Sequence, residues 1–345
     1  MPVSRNFPRV AVYRPTCWDD VALLGRQLSS FQRIFRGVSR ACYGFKPSLE
    51  RTAELYGFPG HQLPRRERAL IEKFQEAAHL HFPAQLLPMD ENWLGWMSLI
   101  QHYGGPTRLL DFTKSFYCAV FFALERTNQQ AAVWAVDYST LEHRAAEILG
   151  VEGQGEPDRK VRSRILAGLN SFVGEDNGPR LACPVFPTRL HERLAYQQGL
   201  FVTSGRSDVP FELQLFETLE IGEDEFKRVA ESPREKVPVR PNFDELEAIR
   251  VVKIEIEPNL HKKARRELKR MNLTSASLFP GPDGYARALH WELGDMQVGE
   301  VDVVPEGGFM TAEDLRRRCS TSGSSRSLDS AGADSEVGDL GQGEE

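Results

Sequence analysis

The feature that most constrains this chain is a pair of strongly apolar stretches separated by a short polar block that neither can absorb. In the first, Trp93, Leu94, Trp96, Met97, Leu99 and Ile100 cover so much of a helix circumference that the helix must be largely buried. In the second, Ser115 to Glu125, the residues Tyr117, Ala119, Val120, Phe121, Phe122 and Leu124 do the same. His102-Tyr-Gly-Gly-Pro breaks the first helix, Thr107 to Asp111 reads as extended chain, and Ala131 to Val136 follows as a buried strand. A helix, break, strand, helix, strand series does not close as a bundle; it calls for a mixed α/β core.

The flanks add to that core. Arg9 to Arg14 alternates like a short strand, Thr16 or Asp19 is placed to cap a helix carrying Val21, Leu23, Leu24 and Leu28, and Phe31 to Val38 reads as a strand ending on a glycine. Residues 65–82 are spaced for an amphipathic helix. The stretch 139–182 is polar and irregular, with one helix from Asp158 to Leu169, and reads as a surface insertion. Gly199 to Thr203 and Phe211 to Leu215 supply strand material, and 222–242 is a charged, Pro-rich connection. Arg250 to Glu257 alternates across a half-exposed strand, a basic helix runs from Pro258 through Met271, and a further helix starts at Ala286.

Charge and cysteine usage exclude several classes. The net charge is −6, and −5 of it lies in residues 320–345, so the body has no global basic field to neutralise phosphates along a nucleic acid. The five cysteines form no C-x-x-C pair and sit beside no His at ligand spacing, which leaves structural zinc and a disulfide framework without support. His79 and His81 point to different sides of a helix, so no metal is expected there. Without a signal-peptide layout or a spanning apolar run, the expectation is a cytoplasmic protein with no membrane partner. From Cys319 the Ser-, Gly- and Asp-rich tail cannot offset its ordering entropy.

No G-x-S-x-G, G-x-x-x-x-G-K, H-E-x-x-H or G-x-G-x-x-G signature is present. The chemistry-bearing residues are instead those of the block between the two apolar helices: His102, Thr107, Arg108, Asp111 and Thr113. Buried ionisable groups are costly unless paired or functional. The bland alternative is an internal Arg108–Asp111 ion pair, with His102 capping the helix end. Arg33 and Arg40 either add positive potential to an anion pocket or face water.

Phe35-Arg36-Gly37, Phe45-Lys-Pro-Ser-Leu, the Trp93-to-Thr113 block, Ala119-Val-Phe-Phe-Ala, Arg193-Leu-Ala-Tyr-Gln-Gln-Gly-Leu-Phe and Leu278-Phe-Pro-Gly-Pro-Asp-Gly together resemble the FRG domain family. The resemblance implies a domain over 20–290 with 139–182 inserted, a lead-in over 1–19, an extension over 291–318 and an unstructured acidic tail over 319–345. A fainter similarity runs to arginine-serine-glutamate ADP-ribosyltransferases. It implies an α+β fold with a split, mostly antiparallel sheet and flanking helices.

By that similarity Arg36 holds a phosphate of NAD, with Gly37, Thr107, Arg108 and Thr113 completing the cofactor-binding set. His102, Asp111 and Gln198 take the catalytic places, and the ligand is a nucleotide-type small molecule with a protein as acceptor for transfer. Gln197-Gln198 stands where those transferases carry a glutamate, and an amide brings no negative charge to an oxocarbenium-like transition state. Two other classes therefore stand beside transfer: a non-catalytic ligand sensor or interaction module, and a scaffold whose polar residues are satisfied core groups.

Overall fold

The computed structural model describes residues 9–151, 158–186, 192–222, 224–225 and 243–295. The elements up to Gly294 belong to one compact unit. Seven strands, β1 (Val10–Tyr13), β2 (Arg33–Val38), β3 (Leu110–Thr113), β4 (Ala131–Asp137), β5 (Ala182–Val185), β6 (Gly199–Ser204) and β7 (Val251–Ile256), form a sheet in the order β1-β7-β4-β2-β3-β6-β5. Every neighbouring pair is antiparallel except β1 with β7. The helices are α1 (Trp18–Ser29), α2 (Ser48–Tyr56), α3 (Leu63–Ala78), α4 (Trp93–His102), α5 (Phe116–Leu124), α6 (Tyr138–Ile148), α7 (Asp158–Ser171), α8 (Glu192–Tyr196) and α9 (Phe211–Thr218), then helices Phe243–Ala248, Pro258–Arg270, Ser275–Leu278 and Pro282–Asp295.

The sheet is continuous rather than split, and its weakest pairing lies near its centre. β2 pairs with β4 through six residues and β3 with β6 through four, yet β2 and β3 share the single pair Phe35↔Thr113. Continuing that register would oppose Gly37 to Asp111, and there the two strands part.

Both faces of the sheet are covered. Phe35, Val133, Ala135, Val252 and Ile254 pack under α1, α5 and helix Pro258–Arg270, while Ile34, Val38, Leu110, Phe112, Trp134 and Val251 face the side that carries Phe45 and α9. Removing both faces from water, at roughly 25 cal/mol per Å² of apolar area, is the main stabilising contribution to such a layered core. α5 is capped by Ser115, whose hydroxyl accepts from Cys118 N at 3.3 Å, and α4 by Asn92, which accepts from Gly95 N at 3.0 Å. α5 lies so close to β2 that a Cβ built on Gly37 would sit 1.9 Å from the Ala119 carbonyl oxygen. The glycine of Phe35-Arg36-Gly37 is thus a packing requirement, met from the helix side by the small residues Ala119 and Ala123.

Four local expectations give way to tertiary context. Neither Thr16 nor Asp19 caps α1; the cap position is Cys17, whose side chain makes no cap bond. Phe211 to Leu215 is helix rather than strand, because the Gln214 amide binds Arg206 O and Val209 O at 2.8 Å and ties the segment to the preceding turn. Within 139–182, α6 and α7 are regular helices, and Leu141, Ala145, Ile165 and Leu169 join the core. β7 is buried on both faces because it lies inside the sheet between β1 and β4, where Glu255 takes ion pairs from Arg14 at 2.7 Å and Lys253 at 2.8 Å. The termini over 1–8 and 296–345, including the tail from 319, lie outside the described residues.

Candidate functional site

Where β2 and β3 separate, a cavity of about 310 Å³ opens over the seam. Arg36, Gly37, His102, Asp111 and Thr113 all line it, so five of the residues singled out from the sequence converge there. Arg36 fills the gap left by the missing ladder: its Nη1 donates to Asp111 O at 2.8 Å, which replaces the main-chain donor that strand pairing would have supplied. Its Nε is buried with no partner. Burial pushes the guanidinium down to about 10, with Arg51 acting the same way and the Asp111 carboxylate opposing both.

Thr107 and Arg108 leave this set. Arg108 turns away into the core and meets Glu67 of α3, its Nε within 2.9 and 2.8 Å of the two carboxylate oxygens and its Nη2 also on Oε2. Its remaining donors reach Ser204 O at 3.3 Å, Gly205 O at 3.1 Å and Ser207 Oγ at 3.3 Å. The expected partner Asp111 is not the one it takes, because strand alternation points Asp111 outward while Arg108 is 3% exposed and Glu67 1%. Thr107 is buried and donates to Gln101 Oε1 at 2.7 Å. Thr113 borders the cavity, yet its hydroxyl is engaged: it donates to Gln197 O at 2.7 Å and accepts from Ser115 N at 3.0 Å. Arg33 neither faces water nor adds to an anion pocket; its Nη2 binds the carbonyls of Leu246 and Ile249, each at 2.6 Å.

The opposite wall comes from segments far along the chain. Arg193 of α8 and Arg287 of helix Pro282–Asp295 both pack on the Phe279 ring, 4.2 and 3.8 Å from its centroid. Arg287 is neutralised by Glu125 through bonds of 2.7 to 3.0 Å, and Glu125 also accepts from Ser275 at 3.2 Å. The Arg193 guanidinium has no hydrogen-bond partner among the described residues, and burial followed by its neighbour Arg287 lowers its pKa. Gln197 lines the cavity with its amide spent on Leu278 O at 2.9 Å. Gln198 adopts φ 48°, is exposed and does not line the cavity, whereas its neighbour Gln197 does.

Gln101, Arg193, Gln197, Phe279, Glu125 and Arg287 also line the cavity, and of these the sequence sets only Gln197, beside Gln198, at a site position. The first four lie inside the segments that carry the family resemblance, which is the signal that points to them; Glu125 and Arg287 have none, since their pairing spans 162 positions. A second hollow, about 350 Å³ between α2 and α3, is lined mainly by apolar residues such as Leu49, Phe58 and Leu70. Among the described residues no cluster of His, Cys, Asp and Glu could hold a metal ion, and no helix is long and apolar enough to cross a membrane.

Residues 32–132 match the family model described as FRG domain. The chain carries an FRG domain over that span. It holds Arg36, Gln101, His102, Asp111 and Glu125, while Arg193, Gln197, Phe279 and Arg287 come from beyond it. No curated protein and no solved structure matches the chain.

Proposed function

We propose that the seam cavity of this FRG-domain chain binds a nucleotide-type phosphorylated small molecule of NAD-like chemistry, with Arg36 and Arg193 on its phosphates. The observation that carries this reading is unspent guanidinium capacity. Arg36 uses one side-chain donor, on Asp111 O, and Arg193 uses none within the described residues, while desolvation lowers the pKa of both. Two partly desolvated cations on facing walls raise the free energy of the empty site, and a phosphate supplies the missing charge through bidentate bonds. The volume, at the small end of the usual 300–1,000 Å³ range, suits a mononucleotide or the diphosphate-ribose part of a larger ligand.

Binding is favoured over transfer by the state of the acids. A sugar cation needs a carboxylate beside it; Glu125 is already held by Arg287, and the Gln197 amide is bound to a carbonyl. Asp111 is the lining carboxylate with an oxygen to spare, so any transfer from the ligand would have to run through it.

Thermal-shift titration with NAD, ADP-ribose, ADP and AMP tests the reading. At least one should raise the melting temperature of the wild type, and none should raise that of Arg36→Ala. Incubation with labelled NAD then separates sensor from enzyme by whether label is released or transferred. Absence of any shift in the wild type overturns the proposal.

A further inference from the structure

The cavity contains a carboxylate that a purely phosphate-binding site would not keep, and that carboxylate is held by a hydrogen-bond relay. Thr107 N donates to Ser48 Oγ at 3.0 Å, and the Ser48 hydroxyl and Leu49 N return bonds of 3.3 and 3.0 Å to Thr107 O, so the start of α2 locks Thr107. The Thr107 hydroxyl accepts from Leu109 N at 3.2 Å and donates to Gln101 Oε1 at 2.7 Å, while the Asp111 carboxylate on the other side can only accept. That fixes the amide orientation: oxygen toward Thr107, nitrogen toward Asp111. Gln101 Nε2 then donates to Asp111 Oδ2 at 2.9 Å. The second carboxylate oxygen, Oδ1, has no partner among the described residues and belongs to a side chain that lines the cavity.

From this geometry we infer that Gln101 is a positioning residue that presents one oxygen of Asp111 as a hydrogen-bond acceptor for ligand hydroxyls, which makes the ligand class a phosphate ester of a vicinal diol rather than a bare anion. The inference rests on the nucleotide reading above and adds a requirement to it. A free carboxylate oxygen repels phosphate and accepts from hydroxyls, so it is tolerated in an arginine-bearing cavity where the ligand brings O–H groups. The relay removes the alternatives: Oδ2 is occupied, Gln101 cannot flip without opposing its nitrogen to the Thr107 hydroxyl proton, and Thr107 is pinned from α2. The division of labour is then spatial. The guanidinium groups of Arg36 and Arg193 take the charge, and the Asp111 end reads the sugar.

The test compares ADP with 2′,3′-dideoxy-ADP, which carry the same phosphates at every pH and differ in the hydroxyls alone. Calorimetric titration of the full chain should show the wild type binding both, with ADP about tenfold tighter, the scale of one or two bonds to a charged acceptor. Gln101→Leu should bring the ratio to about one while the dideoxy affinity stays within about twofold, and Asp111→Asn should also lower the ratio. Gln101→Glu gives a readout that a merely structural role would not move. At pH 8 its carboxylate opposes Asp111 and the ratio falls to about one; near pH 5 the protonated carboxyl, isosteric with the amide, donates again and the ratio recovers.

A wild type that binds both nucleotides equally overturns this inference and leaves the nucleotide reading standing. So does a Gln101→Leu protein, folded by circular dichroism, that keeps the full preference, or a Gln101→Glu ratio that ignores pH. A wild type that binds neither ADP nor 2′,3′-dideoxy-ADP overturns this inference, and one that also binds none of NAD, ADP-ribose and AMP refutes the reading on which it rests.

Discussion

The buried pair between Arg108 and Glu67 offers a prediction whose size follows from the structure. Arg108 is 3% and Glu67 1% exposed, and the pair joins α3 to the segment before β3 and to the end of β6. Replacing Glu67 by Gln keeps the volume and removes the charge, leaving a buried guanidinium with neutral acceptors only and turning an amide NH2 toward it. Breaking a buried pair from one side costs about 3–5 kcal/mol. At about 2–4 °C per kcal/mol for a domain of this order, the melting temperature should fall by about 6–20 °C. Arg108→Met should cost a similar amount.

The double variant Glu67→Leu with Arg108→Met exchanges the pair for apolar side chains and should recover most of the loss, and with Glu67→Leu and Arg108→Met alone it closes a double-mutant cycle with a coupling of about 3 kcal/mol or more. Urea unfolding, which leaves ionic strength unchanged, is the assay. Nucleotide affinity per folded molecule should be unchanged in all four variants, because neither residue lines the cavity. Single-variant losses below about 1 kcal/mol, or a coupling that small, would refute the structural role of Arg108. A loss of affinity without loss of stability would return Arg108 to the binding set.

Three further outcomes follow. Gly37→Ala forces a Cβ to 1.9 Å from Ala119 O, a backbone atom, and should destabilise by about 3 kcal/mol or more, read as a lower urea midpoint or insoluble expression. Thr113→Val removes the bonds to Gln197 O and Ser115 N, and should lower stability by about 1–3 kcal/mol in the same assay. Glu50 is pushed up to about 7 by burial and by Glu54 and Glu212, against the Phe211 main-chain N–H and Lys46. A raised carboxyl contributes stability that is full below the ordinary 4.5 and lost as the pH rises through about 7, so Glu50→Gln should flatten that slope and be more stable at pH 8, by on the order of 2 kcal/mol. Melting curves between pH 4 and 8 that run parallel for wild type and variant would count against it.

What the sequence disclosed about this fold was local periodicity joined to breaks. α4, β3, α5 and β4 all follow from apolar density interrupted by His102-Tyr-Gly-Gly-Pro, and each forms within a few residues of where the pattern sets it. Phe211-Glu-Leu-Gln-Leu misleads because Phe211, Leu213 and Leu215 alternate as in a strand, whereas the helix is fixed by bonds from Gln214 to a neighbouring turn. Burial of β7 depends on its place inside the sheet, which strand composition does not encode.

The site divides in the same way. His102 and Asp111 are visible because polar groups stand out in apolar surroundings, Arg36 is visible through the family resemblance of Phe35-Arg36-Gly37, and all three line one cavity. Thr107 and Arg108 stand out for the same reason, but one serves Gln101 and the other Glu67, a partner 41 positions upstream with no local mark. The Phe-Arg-Gly tripeptide itself resolves into three jobs. Phe35 packs edge-on against Phe116 at 5.6 Å, Arg36 enters the cavity, and Gly37 lets α5 approach.

The most direct measurement is calorimetric titration of ADP-ribose into wild type, Arg36→Lys and Arg36→Ala. Arg36 sits in a site that disfavours its charge and bonds one carbonyl, so its removal should leave the unliganded melting temperature unchanged or higher. The wild type should bind, the lysine variant should bind more weakly because a point charge cannot make the bidentate contact, and the alanine variant should lose at least tenfold. A wild type that gives no heat and no saturation, or an alanine variant that stays folded and binds as tightly as wild type, contradicts an anion-binding role for the β2–β3 seam.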